Sequence, residues 1–322
     1  MARCAGRFVV PFAFLLVGLT MMSGAAPAGD KPREKFAEDR PAPGPFDAKR
    51  AMGYLDALCK IGPRISGSDG MTKQQELLAK HFTKLGGKVE WQKFTARQRS
   101  QRGQVAMANL IVRWHPERQR RIILCSHYDT RPIADQEPDE RKWREPFVSA
   151  NDGGSGVALL MELAHHVKDL KTAVGVDFVF FDGEEYIHQK NDEYFFGSRH
   201  FAADYRRAKP KFTYTAAVLL DMIGGKNAQF PIEANSWWNA APLVMELWET
   251  AAEQKCAAFQ KREGPQVDDD HLALNRAGIP AVDIIDFSYR HWHRLSDVPQ
   301  NCSGESLEQV ARVLSVWLQR AK

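Results

Sequence analysis

Acidic and imidazole side chains recur in this sequence where short apolar runs end, and once where a helix should begin. They are His127, Glu184, Glu185, Asp221 and His293 after apolar runs, and Asp152 before the predicted helix. If the runs are parallel strands of one sheet, these residues meet at its carboxyl edge, where open α/β sheets bind ligands. Imidazole and carboxylate together are typical zinc ligands, and a catalytic zinc takes three of them and keeps one position open. The sequence therefore predicts a catalytic metal site, with zinc as the preferred ion.

The spacing of apolar residues predicts the elements that carry these side chains. Apolar positions recur every three or four residues, as in amphipathic helices, at 48–60, 73–85, 156–167, 198–205, 242–256 and 305–318. Short alternating or continuous apolar runs predict strands at 89–95, 109–114, 121–126, 176–181, 216–223 and 281–286. Apolar strands separated by helices indicate a sheet covered on both faces. We therefore expect a single α/β domain over residues 46–322, with a central mixed, mostly parallel β-sheet flanked by helices.

The first 28 residues have the layout of a secretory signal peptide. Arg3 and Arg7 precede an apolar run over residues 8–22, and small residues follow as far as Ala28. The run is shorter than the roughly 20 residues that a membrane helix needs. We therefore expect export to a periplasm or out of the cell, with no membrane insertion after cleavage. Residues 29–45 mix proline, glycine and charge without periodicity, which predicts a flexible lead-in.

Composition and charge exclude several classes of protein. The 322 residues are 44% hydrophobic and 26% charged, as in a globular chain rather than a disordered or fibrous one. The formal net charge of +4 gives no support for a nucleic-acid partner. We expect a monomer.

Four cysteines remain after the predicted cleavage: Cys59, Cys125, Cys256 and Cys302. They could form up to two disulfides, or they could be free buried thiols, and the sequence does not decide between these alternatives.

Several blocks of the sequence resemble the zinc-dependent exopeptidase superfamily. They are Cys-Ser-His-Tyr-Asp (125–129), Asn-Asp-Gly-Gly-Ser-Gly (151–156), Phe-Phe-Asp-Gly-Glu-Glu (180–185) and Trp-His (292–293). Three more are similar to the glutaminyl-peptide cyclotransferases of animals: Gly-Ser-Arg-His-Phe-Ala (197–202), Leu-Leu-Asp-Met-Ile-Gly (219–224) and Asp-Asp-His (269–271). The resemblance spans about residues 46–320. It implies zinc-dependent conversion of N-terminal glutaminyl residues of peptides to pyroglutamyl residues, with release of ammonia.

The resemblance also implies a role for each matching residue. One zinc ion per chain would rest on Asp152, Glu185 and His293. Glu184 matches the general acid/base, and Asp221 and Asp269 match two carboxylates that hydrogen-bond near it. Such chemistry suits a carboxylate, because the attacking α-amine must lose a proton and the departing amide nitrogen must gain one. The substrate pocket would be lined by Trp292, which matches a family aromatic, and by Phe287 and Tyr289, which precede it closely.

The same residues nearly support a di-zinc aminopeptidase. In such an enzyme His127 and Asp221 would form a second metal site with Asp152, which both ions would share. Glu184 would then activate a bridging water for peptide hydrolysis. Since every ligand of both arrangements is present, the ligand set does not decide between them. The acidic run 268–270, Trp292 beside His293 and the Gly-Ser-Arg-His segment favour the cyclotransferase.

Overall fold

The computed structural model describes Ala42 and residues 44–322. The predicted signal peptide and most of the predicted lead-in lie outside these residues. Within them, the strands are β1 (Lys88–Ala96), β2 (Val105–Trp114), β3 (Arg120–His127), β4 (Gly175–Phe181), β5 (Thr213–Asp221), β6 (Phe230–Ile232), β7 (Phe259–Glu263) and β8 (Ala281–Ile285). The helices are α1 (Ala48–Lys60), α2 (Asp69–Lys84), α3 (Ser155–Leu163), α4 (Phe196–Ala208), α5 (Ala234–Glu253), α6 (His271–Arg276) and α7 (Gly304–Arg320). None of these helices is long and apolar enough to cross a membrane.

The central sheet has six strands in the order β1-β2-β4-β3-β5-β8. Strands β4, β3, β5 and β8 run parallel to one another, while β2 pairs antiparallel with both β1 and β4. The predicted α/β fold with a mixed, mostly parallel sheet is therefore confirmed. Because the four parallel strands are neighbours, their carboxyl ends meet at one edge of the sheet.

Two hydrophobic cores cover the two faces of this sheet. Successive side chains of a strand point to opposite faces, and in β3 Ile122 and Leu124 enter one core while Ile123 and Cys125 enter the other. The larger core includes residues of α1, α3, α5 and α7, and the smaller one includes residues of α4 and α6. All seven residues of β4 are buried, which explains why they are apolar apart from Asp177, a buried aspartate paired with Arg113 and Arg121.

Helix α5 differs most from the sequence-based expectation. The predicted helix begins at residue 242, whereas the observed helix begins at Ala234 and is broken at Ala240, which has φ −146° and ψ 38°. The break lies two residues before Pro242. In an unbroken helix the Pro242 ring would clash with the carbonyl group four residues earlier, and its nitrogen has no hydrogen to donate. The short parallel pair β6–β7 and the short helix α6 have too few residues for a periodic signal and were not predicted.

The four cysteines within the described residues are free and buried. Of the two alternatives left open by the sequence, the structure therefore has free thiols. Burial raises the pKa of the Cys59 thiol to about 11, so this side chain stays a neutral thiol at physiological pH.

Candidate active site

The carboxyl edge of the sheet brings the predicted site residues together. His127 is the last residue of β3, Asp221 is the last residue of β5, and Glu184–Glu185 lie just after β4. Asp152 comes from the loop before α3, and His293 from the loop after β8. All of them were predicted from their positions at the ends of elements, and one small region holds all of them.

Their ligand atoms form three overlapping groups: two of them share Asp152, and a third joins His127, Glu184 and Glu185. In the first, His293 Nε2 lies 3.2 Å from Glu185 Oε2 and 3.5 Å from Asp152 Oδ2. In the second, His127 Nε2 lies 3.1 Å from Asp152 Oδ1 and 3.3 Å from Asp221 Oδ1. Within each group the potential ligand atoms lie within 4.8 Å of one another. These distances suit a metal ion at the centre of either group.

The donors of the first group also fit a metal chemically. One imidazole and two carboxylates form a typical catalytic zinc set, and all three side chains are buried. Asp152 Oδ2 is buried and has no hydrogen-bond partner among the described residues. A buried carboxylate oxygen without a donor is costly, and a cation removes that cost.

A glycine allows the Asp152 loop to approach β3. Gly153 has φ 77°, a conformation that other residues adopt at a cost. A Cβ atom at this position would lie 2.5 Å from the carbonyl oxygen of Asp129 and 2.8 Å from Cε1 of His127. Any side chain here would therefore push Asp152 away from the other ligand candidates.

Two buried aspartates hold the backbone of the ligand loops. The carboxylate of Asp297 accepts hydrogen bonds from the backbone N–H groups of Asn151 (2.9 Å) and Asp152 (3.1 Å). The carboxylate of Asp129 accepts in the same way from Glu184 (3.0 Å) and Glu185 (3.2 Å). Each aspartate thus fixes two consecutive peptide units that present site side chains. Neither role was predicted from the sequence.

A third aspartate and an arginine hold the side chains of His293 and Glu185. Asp135 Oδ1 lies 2.9 Å from His293 Nδ1, which leaves Nε2 facing the ligand group. Arg131 donates from its side chain to Asp135 (2.7 Å) and from its backbone N–H to Glu185 Oε1 (3.0 Å). Burial lowers the pKa of His293, but the carboxylates of Asp135 and Glu185 outweigh burial and raise the pKa to about 9.

Glu184 lies next to the ligand groups and also borders an acidic cluster. Its side chain is 12% exposed and its Oε2 lies 3.9 Å from His127 Nδ1. Burial raises the pKa of Glu184 well above its usual range, and the nearby Asp269 adds to that rise, although His127 opposes it. Burial likewise raises the pKa values of Asp221 and Asp269, and the nearby Asp221 raises the pKa of Asp269 further. The carboxyl groups of this cluster therefore hold a proton more readily than exposed carboxyl groups do.

A pocket of about 350 Å³ opens beside Glu184 and the first ligand group. Trp292 and Phe287 line it, as predicted. The Trp292 ring packs on the His293 ring with ring centroids 4.0 Å apart. The ring centroids of Phe287 and Trp292 lie 5.1 Å apart. Four other apolar walls of this pocket were not predicted from the sequence: Tyr194 and Phe195 from the loop after β4, Val267, and Ile285 at the end of β8.

Tyr289 does not line this pocket, contrary to the expectation. Its ring is buried against the backbone at Gly225, where an added Cβ atom would lie 2.9 Å from Cδ2 of the ring. Its hydroxyl donates to the carboxylate of Asp297 over 2.9 Å. The chain turns between Asp286 and Trp292, so Phe287 faces the pocket while Tyr289 supports the Asp152 loop from behind.

The turn between β1 and β2 holds the loop that follows Glu185. Gln98, in the middle of the basic stretch 96–102, is buried. Its amide nitrogen donates to the carbonyl groups of Tyr186 (2.8 Å) and Glu193 (2.9 Å), and its oxygen accepts from Glu193 N–H (2.8 Å). Asp192 accepts from the backbone and hydroxyl of Ser100. The arginines of this stretch are exposed, as expected for a solvated loop.

Comparison with known proteins identifies a family and several similar proteins. The sequence matches peptidase family M28 over residues 109–318. It is 53% identical to a glutaminyl cyclase of Fimbriiglobus ruber, with a TM-score of 0.86 over 87% of this chain and 97% of that one. It is 29% identical to a leucine aminopeptidase precursor of Bacteroides thetaiotaomicron, with a TM-score of 0.80 over 88% of this chain and all of that one (100%). The glutaminyl-peptide cyclotransferase of Gloydius blomhoffii is 24% identical over 67% of this chain, and the matched segment spans 66% of that protein.

Proposed function

The chain belongs to peptidase family M28, and from that premise we propose that it converts N-terminal glutaminyl residues of peptides to pyroglutamyl residues and releases ammonia. The observation that carries this proposal is the position of Glu184. Its carboxylate faces the pocket, next to a group of three metal-ligand candidates and within a cluster of acids whose pKa values are raised. The likeness to the glutaminyl cyclase of Fimbriiglobus ruber supports the same reaction.

Asp152, Glu185 and His293 would hold one zinc ion per chain. Zinc bound there supplies Lewis-acid polarisation of the substrate's γ-amide carbonyl. Arg131 and Asp135 keep the Glu185 and His293 side chains in place, and Asp297 keeps the Asp152 backbone in place. The three ligands therefore need little rearrangement when they bind the ion.

Glu184 moves the proton in the proposed reaction. Its carboxylate takes a proton from the α-amine as that nitrogen forms a bond to Cδ, the carbonyl carbon of the glutamine side-chain amide. It then gives the proton to the amide nitrogen as the carbon–nitrogen bond breaks and ammonia leaves. No water is consumed. The raised pKa of Glu184 makes its carboxylate a stronger proton acceptor than an exposed glutamate.

Asp221 and Asp269 support Glu184, and the aromatic walls position the substrate. The two aspartates share protons with Glu184 and keep its carboxylate near the pKa at which it can both accept and donate. Trp292 and Phe287 pack against the substrate backbone and exclude water from the reacting amide.

A di-zinc aminopeptidase is the second candidate, because a specific observation favours it. His127, Asp152 and Asp221 form a further group of ligand candidates directly beside the first. With a second ion there, Glu184 would activate a water and the product would be a free amino acid. The likeness to a leucine aminopeptidase precursor is compatible with this reaction, although the sequence identity is lower than to the Fimbriiglobus ruber enzyme.

We also propose that residues 1–28 direct export. The support is the charged, apolar and small-residue layout of the first 28 residues. N-terminal sequencing of protein recovered from outside the cytoplasm should begin directly after Ala26 or Ala28. Protein found only in the cytoplasm with Met1 intact would contradict this.

The decisive experiment measures metal content and product on the same purified sample. We expect one zinc per chain, and one ammonia for each pyroglutamyl peptide formed. Glu184→Gln should reduce kcat by about 10²- to 10⁴-fold, because it removes the proton carrier, while its zinc content stays at the wild-type level. The matched control is Glu76→Gln, a change in an exposed glutamate of α2, which should keep wild-type kcat. Two metals per chain with free amino acid as the product would establish the aminopeptidase instead.

A further inference from the structure

Two adjacent tryptophans stay on the surface near the active site. Trp237 and Trp238 lie in the first segment of α5, before the break at Ala240, and are 43% and 65% exposed. Exposed indole rings are costly in water, and they commonly mark surfaces that bind a partner. The proposed reaction, as derived above, uses neither of them.

These tryptophans line a groove of about 330 Å³ together with Ile232, Ala234 and Glu263. The walls are thus two indole rings and two small or aliphatic side chains, with a single carboxylate. The side chains of lysine and arginine match such walls, because their aliphatic stems pack on apolar surface. Their cationic heads pair with a carboxylate and bind over the faces of indole rings.

One chain segment, residues 263–267, borders both the groove and the substrate pocket and is the wall that they share. Glu263 lines the groove, whereas Gln266 and Val267 line the pocket. Gln266 is three positions after Glu263, and three residues of chain span at most about 10 Å. A peptide with its N-terminus in the pocket can therefore reach the groove with its next few residues, since an extended chain advances about 3.3 Å per residue.

Hydrogen bonds join the shared wall to the start of α5. Ala234 N–H donates to the carbonyl group of Pro265 (3.0 Å), and the Asn235 side chain donates to that of Val267 (2.8 Å). The buried carboxylate of Glu233 accepts from the N–H groups of Asn235 (2.8 Å) and Val267 (2.9 Å). The groove is therefore held in a fixed position relative to the pocket, which is a requirement for selectivity.

We propose that this groove is a second subsite for the peptide substrate, which takes the side chain of a lysine or arginine two or three residues after the N-terminal glutamine. This inference rests on the proposed function and adds a substrate class to it: peptides with a basic residue near the cyclised end. The tryptophans contribute aromatic faces, and Glu263 contributes the opposite charge.

Steady-state kinetics with three peptides test the inference. They are Gln-Ala-amide as the short reference, Gln-Ala-Arg-Arg-amide as the basic peptide and Gln-Ala-Leu-Leu-amide as the neutral peptide. We expect kcat/KM to be at least about fivefold higher for the basic peptide than for the neutral one, mainly through KM. Trp238→Ala and Glu263→Gln should each reduce this ratio about two- to fivefold. Met245→Ala, which alters an exposed apolar residue of α5 outside the groove, should keep the wild-type ratio.

A preference for basic peptides could also arise because the acidic pocket attracts any cationic peptide. Trp238→Ala distinguishes this explanation from binding in the groove, because the change removes no charge. An unchanged ratio in both groove variants would overturn the subsite. Equal losses on the basic and neutral peptides in Trp238→Ala, with no effect of Glu263→Gln, would overturn the preference for basic residues. A wild-type dimer that Trp238→Ala converts to a monomer would make the groove an interface between copies. Failure to release ammonia from Gln-Ala-amide would refute the proposed function itself, and this inference with it, whereas release without a basic preference would refute the inference alone.

Discussion

Replacing Asp129 by asparagine should damage both the stability and the catalytic geometry of this protein. The Asp129 carboxylate is fully buried and accepts from the N–H groups of Glu184 and Glu185, one on each oxygen. Asparagine has a single acceptor oxygen. Its amide nitrogen would face the second N–H group, donor against donor, and that N–H group would lose its partner away from water.

The size of the effect follows from that lost partner. A buried N–H group without an acceptor costs about 1–3 kcal/mol, and the remaining N–H group also loses the stronger bond that a charged acceptor makes. We expect Asp129→Asn to lower the free energy of unfolding by about 2–3 kcal/mol, which corresponds to a fall in Tm of roughly 4–12 °C. Because the same N–H groups position Glu184 and Glu185, kcat should fall about 10- to 100-fold.

Asp182→Asn is the matched control. Asp182 is equally buried and accepts from Ser66 Oγ (2.6 Å) and Ala108 N–H (2.8 Å). An asparagine there can keep both contacts, because its amide can donate to the serine hydroxyl. Burial raises the pKa of Asp182 to about 7, so a neutral side chain costs little. Urea unfolding and steady-state kinetics of the two variants give the comparison. If Asp129→Asn is no less stable than Asp182→Asn and retains wild-type kcat, the two N–H contacts do not hold the glutamate pair.

Three further predictions concern groups around the site. Tyr289→Phe should lower the free energy of unfolding by about 2 kcal/mol, because the hydrogen bond to Asp297 is lost, and KM should stay at the wild-type value. Phe287→Ala should raise KM. A raised KM in both variants would show that Tyr289 contacts the substrate in the pocket. Burial alone would raise the pKa of Glu233, but contact with His271 and bonds from backbone N–H groups lower it to about 2. Glu233→Gln should therefore cost up to roughly 3 kcal/mol at pH 7, and the gap to wild type should close as the pH falls from 4.5 towards 2; a gap that widens in acid would contradict this. A thiol reagent should label the native protein slowly and the unfolded protein at all four buried cysteines, which are Cys59, Cys125, Cys256 and Cys302. A missing thiol after unfolding would reveal a disulfide.

The sequence predicted the ligand candidates well because their signals are local. His127, Glu184 and Asp221 each stand where a short apolar run ends, and that position alone brings them to the carboxyl edge of a parallel sheet. The same local patterns predicted the six strands of the central sheet and most helices to within a few residues.

The supporting residues were not predictable because their partners are remote in the chain. Asp129 binds N–H groups 55 and 56 residues away, and Asp297 binds N–H groups 145 and 146 residues away. A backbone N–H group leaves no mark on residue type, so no spacing links the two ends of such a bond. Tyr289 was misplaced for a related reason. Its aromatic type fits both a pocket wall and a buried brace, and only the course of the chain between β8 and His293 decides between them.

The contact between the β1–β2 turn and the loop after Glu185 has a consequence for the order in which the chain folds. Gln98 binds groups 88 and 95 residues farther along the chain, and contacts of such long range form late compared with a local hairpin. Strand β1 is also the outermost strand of the sheet. The loop that carries the pocket's aromatic walls is therefore completed only after the sheet has been assembled as far as that edge. We therefore expect a chain whose sheet lacks β1 to retain most of the core but to lack a finished pocket, and activity to report on complete folding more strictly than secondary structure does.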